Sequence, residues 1–232
     1  MGSILGVAGD VDGAAVAKRM NDLLKGWSGS TPAVTWGNKA ARGYAHEEDP
    51  ANQVHIAWAC DAPEEGSPDS WLERTAVAVL SGGMSGRLFT EVREKRGLCY
   101  SVQASYGADA KFGRTTAYSG TTPERAQETL EVLTAELKKM FSAGAAVTEG
   151  EFQRAIVGMK SRLVMSGESS NARASALARD YHKVGRGRSL EELAAQVDGV
   201  TLKKVSEYLA RRSLGTTTTV TVGPRALTPP AA

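Results

Sequence analysis

Cysteine and histidine are scarce in this chain of 232 residues, which contains two cysteines and three histidines. Cys60 and Cys99 form no C-x-x-C pair and are too few for a disulfide framework, so a reducing compartment suits them. The histidines form neither an H-E-x-x-H nor an H-x-x-E-H motif. The sequence therefore predicts no metal site on this chain.

Long apolar runs and an excess of one charge are also missing. No stretch approaches the roughly 20 consecutive apolar residues of a membrane-spanning helix, so we expect no contact with a membrane. The 28 basic and 26 acidic residues give a net charge of +2, which provides no electrostatic basis for binding nucleic acid. With 41% hydrophobic and 23% charged residues, the composition is that of an ordinary soluble globular protein. It leaves open whether the chain is cytoplasmic or periplasmic.

Hydrophobic periodicity predicts strands that are grouped apart from runs of helices. The clearest strand covers residues 53–60, where Val54, Ile56, Trp58 and Cys60 share one face. Other strands are predicted at residues 4–8, 99–106, 114–121 and 216–222. Helices are predicted at residues 14–27, 87–95, 126–140, 171–183 and 201–212, and after Ser67, Thr148 and Ser189. This order indicates an α+β fold with a mixed, largely antiparallel sheet and helices packed on one face.

Three Ser/Thr-x-x-Glu motifs predict helix N-termini, because the hydroxyl and the carboxylate each accept a backbone N–H that lacks a partner. They begin at Thr121, Thr148 and Ser189. Gly97 is expected to end the helix over residues 87–95 in a left-handed conformation.

Four features of the sequence have both a functional and a structural interpretation. The acidic stretch after His46 is interpreted as a solvated loop rather than a ligand set, and His55 as a histidine of the sheet. The glycines at 82–86 lack the G-K-[ST] of a phosphate-binding loop and predict a tight turn between helices. Cys99 has no histidine nearby in sequence, so a buried structural thiol is favoured over a Cys-His site.

The most distinctive string of the chain runs from Ser85 to Tyr100 and follows the glycine pair Gly82–Gly83. Its charges alone predict a solvated helix face, a cap and a strand. It reads Ser-x-Arg-Leu-Phe-x-Glu-x-Arg-x-x-x-Gly-Leu-x-Tyr, and this pattern resembles the C-terminal half of the pitrilysin/insulinase family of zinc metallopeptidases. Weaker similarities are found at residues 9–12, 119–121 and 222–224.

The resemblance implies an enzyme built from two similar halves, in one chain or in two. The other half of the family's enzymes carries zinc on an H-x-x-E-H helix. That motif is absent here, so the resemblance implies the half that binds no metal, with zinc on the partner half and a peptide as substrate. The partner would be the H-x-x-E-H half, either in the same parent chain or as a separate subunit. An isolated half could also form a homodimer through the same surface.

The resemblance also implies a domain boundary. The Gly-Asp-Val-Asp sequence at residues 9–12 resembles the closing β-α unit of the metal-bearing half. We therefore expect residues 1–29 to be a trailing remnant of that half, cut from a longer chain. The best linker candidate is residues 28–32, and we expect residues 30–232 to be the C-terminal domain.

Two residues are expected to act in a composite active site. The family's second half contributes an arginine and a tyrosine seven residues apart, and the matching positions are Arg93 and Tyr100. Gly97 would fold the end of the helix back toward the strand, so that the guanidinium and the phenol reach one peptide carbonyl and stabilise the oxyanion. The alternatives are a surface ion pair of Arg93 with Glu94 or Asp109, and a half-buried sheet residue at position 100.

These residues lead to two main hypotheses. In the first, the chain is the non-metal half of a zinc endopeptidase and is inactive alone. In the second, it is a catalytically silent scaffold or binding subunit of the same fold. A third reading, a free-standing cysteine or metal hydrolase, requires the isolated chain to be active.

Overall fold

The computed structural model describes residues 2–30, 32, 41–142 and 146–229. Five strands, seven α-helices and one π-helix are found in these ranges. In chain order they are α1 (Gly13–Leu23), β1 (Gly43–Glu48), β2 (Val54–Ala62), α2 (Ser70–Ser81), the π-helix (Phe89–Glu94), β3 (Cys99–Ala108), β4 (Gly113–Thr121), α3 (Ala126–Met140), α4 (Glu149–Gly167), α5 (Ser170–Val184), α6 (Leu190–Asp198), α7 (Leu202–Arg211) and β5 (Thr218–Gly223).

The strands form one sheet in the order β1-β5-β2-β4-β3. Only β1 and β5 are parallel, and every other neighbouring pair is antiparallel. The predicted α+β fold with a mixed, largely antiparallel sheet is therefore confirmed. Among the described strands, β1 and β3 lie at the two edges of the sheet.

One face of the sheet packs against helices and forms the core. On β2, Val54, Ile56, Trp58 and Cys60 are at most 3% exposed, as their alternation predicts. They meet the apolar face of α3, where Leu130, Leu133, Leu137 and Met140 are fully buried. Each such side chain contributes about 1.5–3 kcal/mol when it leaves water. The other face of β2, which includes His55 and Ala57, remains more open.

A buried carboxylate links this core to the C-terminal helix. Glu73 of α2 is fully buried and accepts hydrogen bonds from Thr115 Oγ1 of β4 and from Tyr208 Oη of α7, the latter at 2.5 Å. Arg212 Nε completes the group at 3.2 Å from the carboxylate. Burial, followed by the charge of Glu73, raises the pKa of Tyr208 above its usual value, so the phenol remains a donor.

The N-terminal segment contributes nothing to this core. The predicted strand at residues 4–8 is wrong: these residues pair with no described strand, and Leu5 is 62% exposed. The backbone at Gly6 instead lies against α5, so that an added Cβ would be 2.2 Å from the carbonyl oxygen of Ala174. Helix α1 forms, but it ends at Leu23 instead of continuing to residue 27 as predicted, and none of its residues is buried.

Strand β1 is absent from the sequence prediction. The predicted loop at His46 and the acidic residues after it is wrong, because His46, Glu47 and Glu48 belong to this strand. The strand forms because β5 offers a parallel edge, with His46 opposite Thr221 in the register. Pairing with a segment some 170 residues away overrides weak local propensity.

Two of the three predicted capping motifs are confirmed. Thr148 and Glu151 form a complete capping box at α4, and the Ser189 hydroxyl caps α6. The motif at Thr121 is wrong, because α3 begins only at Ala126 and the Thr121 hydroxyl donates to the carbonyl of Leu98. Residue 31 of the predicted linker lies outside the described residues.

The helices of the described ranges are too short or too polar for a bilayer. None of them has the length and hydropathy needed to cross one.

Candidate functional site

The seven-residue spacing between Arg93 and Tyr100 corresponds to a turn that joins the π-helix to β3. Gly97 lies at the turn with φ +61°, which a residue with a side chain adopts only at a cost. Its N–H donates to the carbonyl of Arg93 at 2.9 Å, and the next N–H, of Leu98, donates to Val92 at 3.0 Å. This pattern is a Schellman-type helix end, which confirms the predicted left-handed cap.

The helix before this turn has π geometry, which the sequence prediction did not include. The N–H of Lys95 bonds to the carbonyl of Thr90, five residues earlier, at 3.0 Å. Leu88 and Val92 are fully buried and fix the inner side of this segment, so Arg93 lies on the exposed side. Such π segments occur often at functional sites.

Three residues from β4 and α3 hold the turn in place. The carbonyl of Leu98 accepts from Thr121 Oγ1 at 2.5 Å and from Thr129 Oγ1 at 3.3 Å. The guanidinium of Arg125 donates to the carbonyl of Gly97. Sequence reasoning missed all three, because each lies 23 to 31 residues from its partner and only the fold brings them together.

Arg93 is exposed and rests on an aromatic ring. Its guanidinium lies 4.9 Å from the centre of the Phe89 ring, a cation–π contact that orients the side chain. Burial raises the pKa of Cys99, the first residue of β3, and the positive charge of Arg93 opposes this rise. Within the described ranges Arg93 forms no ion pair with Glu94 or Asp109; Asp109 instead faces His182 at 3.3 Å.

Tyr100 lies at an irregularity of the edge strand. The register of β3 against β4 shifts between Cys99 and Ser101, and this bulge turns the intervening side chain outward. Tyr100 is 73% exposed rather than half-buried. No hydrogen bond joins its hydroxyl, or the guanidinium of Arg93, to another residue of the described part of the chain. Both groups are thus free to donate to a ligand.

Arg87, which belongs to the same string, has a different role. Its Nε and Nη2 donate to the two carboxylate oxygens of Glu151 at 2.6 and 2.8 Å, and Nη2 also donates to the carbonyl of Ala146 at 2.6 Å. Both side chains are mostly buried. The pair therefore anchors the segment before the π-helix to the start of α4.

The glycine cluster at residues 82–86 forms the predicted turn between α2 and the π-helix. An added Cβ at Gly86 would lie 2.8 Å from the carbonyl oxygen of Leu80. The backbone approach is thus too close for a side chain.

Neither cysteine is arranged as a nucleophile. Burial raises the pKa of the Cys60 thiol to about 11, and burial also raises the pKa of Cys99, against smaller opposing effects of Ser119 and Arg93. A nucleophilic cysteine needs a lowered pKa to form the thiolate. Both thiols fit the structural interpretation.

The histidines do not form a metal site. His46 Nδ1 lies 2.9 Å from Thr221 Oγ1, and His55 Nδ1 lies 2.7 Å from the hydroxyl of Tyr118. His182 is on α5 and faces a carboxylate of another loop. In the portions of the chain that the structure covers, no three His, Cys, Asp or Glu side chains converge as zinc requires. These residues do not fit a zinc site.

Comparison with known proteins identifies the fold. The model of the "Peptidase M16 inactive domain" family matches residues 3–159. Among solved structures, a peptidase M16 inactive domain from Pseudomonas fluorescens superposes with a TM-score of 0.71 at 21% identity, covering 97% of this chain and 54% of that one. Complex III2 from Candida albicans, with Inz-5 bound, gives a TM-score of 0.77 at 18% identity over 93% of this chain and 54% of that one.

Curated relatives carry the name uncharacterized zinc protease. One from Mycobacterium bovis is 33% identical over 156 residues, which are 67% of this chain and 35% of that protein. Another from Streptomyces coelicolor is 27% identical over 221 residues, 91% of this chain and 48% of that protein. The chain thus spans about a third to a half of the length of these relatives. With more than half of its residues matched by the family model, the chain belongs to the family of peptidase M16 inactive domains.

Proposed function

We propose that this chain is the non-metal half of a zinc metalloendopeptidase and that Arg93 and Tyr100 bind the substrate at a composite active site. One observation carries the proposal. The two side chains flank a turn fixed by Gly97, both are exposed, and both have polar groups without a partner in the described part of the chain. Two free donors beside one turn suit the recognition of a peptide carbonyl.

The two donors have complementary chemistry. The guanidinium of Arg93 keeps its positive charge at any physiological pH, and the phenol of Tyr100 donates an O–H. As a peptide bond is attacked, negative charge develops on its carbonyl oxygen, so both hydrogen bonds strengthen toward the transition state. The metal-bearing half would supply the hydrolytic chemistry, with its zinc, and this chain would orient the peptide.

We further propose that residues 1–29 pack against that preceding half. Apolar side chains of this segment are exposed: Leu5 is 62%, Leu23 60% and Trp27 66% exposed. Helix α1 has a well-formed N-cap, in which Asp12 accepts from Ala14 N at 2.8 Å, yet it has no buried residue. A helix whose apolar stripe has no buried residue is expected to have a partner elsewhere.

Reconstitution tests this function. The chain is mixed with an H-x-x-E-H half, either as a separate subunit or restored in the same polypeptide, and cleavage of a quenched fluorescent peptide library is followed. We expect cleavage only when both halves are present, and no stoichiometric zinc on the isolated chain after dialysis. A stable complex that never cleaves peptides would favour the silent scaffold, and cleavage by the isolated chain would contradict both.

Light scattering on the isolated chain separates the possible partners. If the isolated chain is a homodimer that dissociates when the H-x-x-E-H half is added, the second copy and the H-x-x-E-H half bind the same surface. A homodimer that persists in the complex would place them on different surfaces.

A further inference from the structure

A cavity of about 200 Å³ lies on the helical side of the sheet, between the β2–α2 loop and helix α5. Its walls carry four cations and two carboxylates: Arg74, Arg179, Lys183, Arg188, Glu65 and Asp180. We call it the basic cavity. Nothing in the proposed peptidase function uses it.

The carboxylates of the basic cavity neutralise only part of its charge. Glu65 accepts from Arg74 Nη2 at 2.5 Å and from Arg188 Nη2 at 3.0 Å, and Asp180 accepts from Arg188 Nη2 at 2.6 Å. The Nζ atom of Lys183 stays 4.0 Å from Glu65. Arg179 has no ion pair within the described ranges. Four positive and two negative groups leave an excess of two positive charges.

Several buried guanidinium nitrogens at this place also lack an acceptor. Arg74 Nε and Arg188 Nε are buried without a hydrogen-bond partner. The same holds for Nη1 of Arg173, whose Nη2 donates to the carbonyl of Arg188. Among the residues that the structure describes, these are the only buried guanidinium nitrogens without an acceptor. These nitrogens are covered by neighbouring protein atoms, so the cations that an ion in the cavity can reach are the more accessible Arg179 and Lys183.

The cavity wall holds its cations in place before any ligand arrives. The guanidinium of Arg74 lies 5.3 Å from the centre of the Trp71 ring and 5.0 Å from that of Tyr106. Aromatic neighbours exclude water and strengthen the attraction between a cation and an incoming anion. Arg188 is fixed by its two carboxylates and is 12% exposed.

From this arrangement we propose that the basic cavity binds a small tetrahedral oxyanion of the phosphate class. Its two excess positive charges match the charge of a phosphate dianion, and the N–H groups of Arg179 and Lys183 on its wall can donate to the several acceptor oxygens of such an ion. The planar guanidinium group is well suited to phosphate oxygens.

Titration calorimetry with inorganic phosphate tests the proposal on the whole chain, at a constant ionic strength set with sodium chloride. We expect saturable binding that sulfate displaces. Arg179→Gln removes a cation without an ion pair in the described ranges, and Lys183→Gln removes one that is only distantly paired with Glu65, at 4.0 Å. Each should weaken binding about tenfold, the effect of one charge-assisted hydrogen bond. The matched control is Arg186→Gln, close by in sequence but paired with Glu192 through both terminal nitrogens, and it should stay within about twofold of the parent.

The proposal is overturned if phosphate gives no saturable heat with the parent chain. It is also overturned if Arg186→Gln weakens binding as much as the two cavity variants. Circular dichroism confirms that each variant is folded, and the titration of the parent chain decides the matter if one is not. Peptide cleavage by the reconstituted enzyme is a separate readout. We expect it to be unchanged in the variants that lose phosphate binding.

Discussion

Arg87 and Glu151, 64 residues apart in sequence, form a two-pronged ion pair in which the carboxylate also completes the N-terminal cap of α4. Glu151 accepts from Nε and Nη2 of Arg87 and from the backbone N–H of Thr148 at 2.9 Å. One carboxylate thus fixes both the start of a helix and the segment that leads to Arg93. The stability of the pair and the position of the proposed site are therefore linked.

Removing either partner is expected to destabilise the fold strongly. Arg87→Ala would leave a mostly buried carboxylate without its counter-ion, at a cost of about 2–4 kcal/mol in the free energy of unfolding measured by urea titration. Lys203→Ala is the control, because Lys203 is 85% exposed and its pairing with Glu207 is worth less than about 0.5 kcal/mol. Equal midpoints for the two variants would refute the anchoring role.

Because of the same ion pair, the free energy of unfolding depends on pH in the acidic range. The guanidinium of Arg87, then the cap at Thr148, hold the pKa of Glu151 at about 2. In the unfolded chain the carboxyl has its usual value of about 4.3, so the unfolded state binds more protons between these values. The stabilisation is complete above pH ~4.5 and is lost as the pH falls toward about 2.

Urea unfolding between pH 5 and 2 checks this dependence. Glu151→Gln should reduce the slope of stability against pH by up to about 1.4 kcal/mol per unit in that window. Glu149→Gln, in the same helical turn, removes a carboxylate that bonds to Gln153 instead of an arginine. It should leave the slope close to that of the parent, and a similar loss in both variants would be inconsistent with the assignment.

The left-handed glycine at the turn gives a third prediction. Gly97→Ala should cost about 1 kcal/mol in stability, because φ +61° is unfavourable for alanine. Gly158→Ala, inside α4 where an added Cβ meets its nearest atom only at 3.7 Å, should instead stabilise by about 0.5–1 kcal/mol. Relative to the parent, the Tm of the two variants should therefore shift in opposite directions. A shift of both Tm values in the same direction would argue against the strained turn.

The buried carboxylate of α2 supplies a fourth prediction. Tyr208→Phe should cost about 1–2 kcal/mol because it removes one donor to Glu73. Glu73→Ala should cost about 3–5 kcal/mol because it leaves Arg212 buried without its counter-ion. Urea denaturation of both variants measures the two losses of stability. A larger loss for Tyr208→Phe than for Glu73→Ala would contradict a central role for Glu73.

Features with a short-range cause could be predicted from the sequence. The apolar faces of α3 and β2 follow from spacing alone, and Gly97 from the need for a left-handed residue after a helix. The cap at Thr148 formed because Glu151 lies three residues later and its carboxylate can accept from the Thr148 N–H and from Arg87 at the same time. The cap at Thr121 failed because Leu98, distant in sequence, took its hydroxyl.

Features with a long-range cause could not be predicted. Strand β1 depends on pairing with β5, and the turn after Arg93 depends on hydrogen bonds from Thr121, Thr129 and Arg125. For the candidate site, the resemblance supplied the identity of Arg93 and Tyr100, whereas only the fold supplied their exposure. The strand predicted at residues 4–8 lacked a partner among the described strands.

The most direct test of the central claim is the kcat/KM of the reconstituted pair with Arg93→Ala and Tyr100→Phe. Each variant should lower kcat/KM by about 10²–10³, mainly through kcat, because the donors act on charge that develops in the transition state. Lys95→Ala, an exposed cation two residues from Arg93 that pairs with Glu91 at 2.6 Å, should change it less than about twofold. Rates for Arg93→Ala and Tyr100→Phe within twofold of the parent pair would contradict the account.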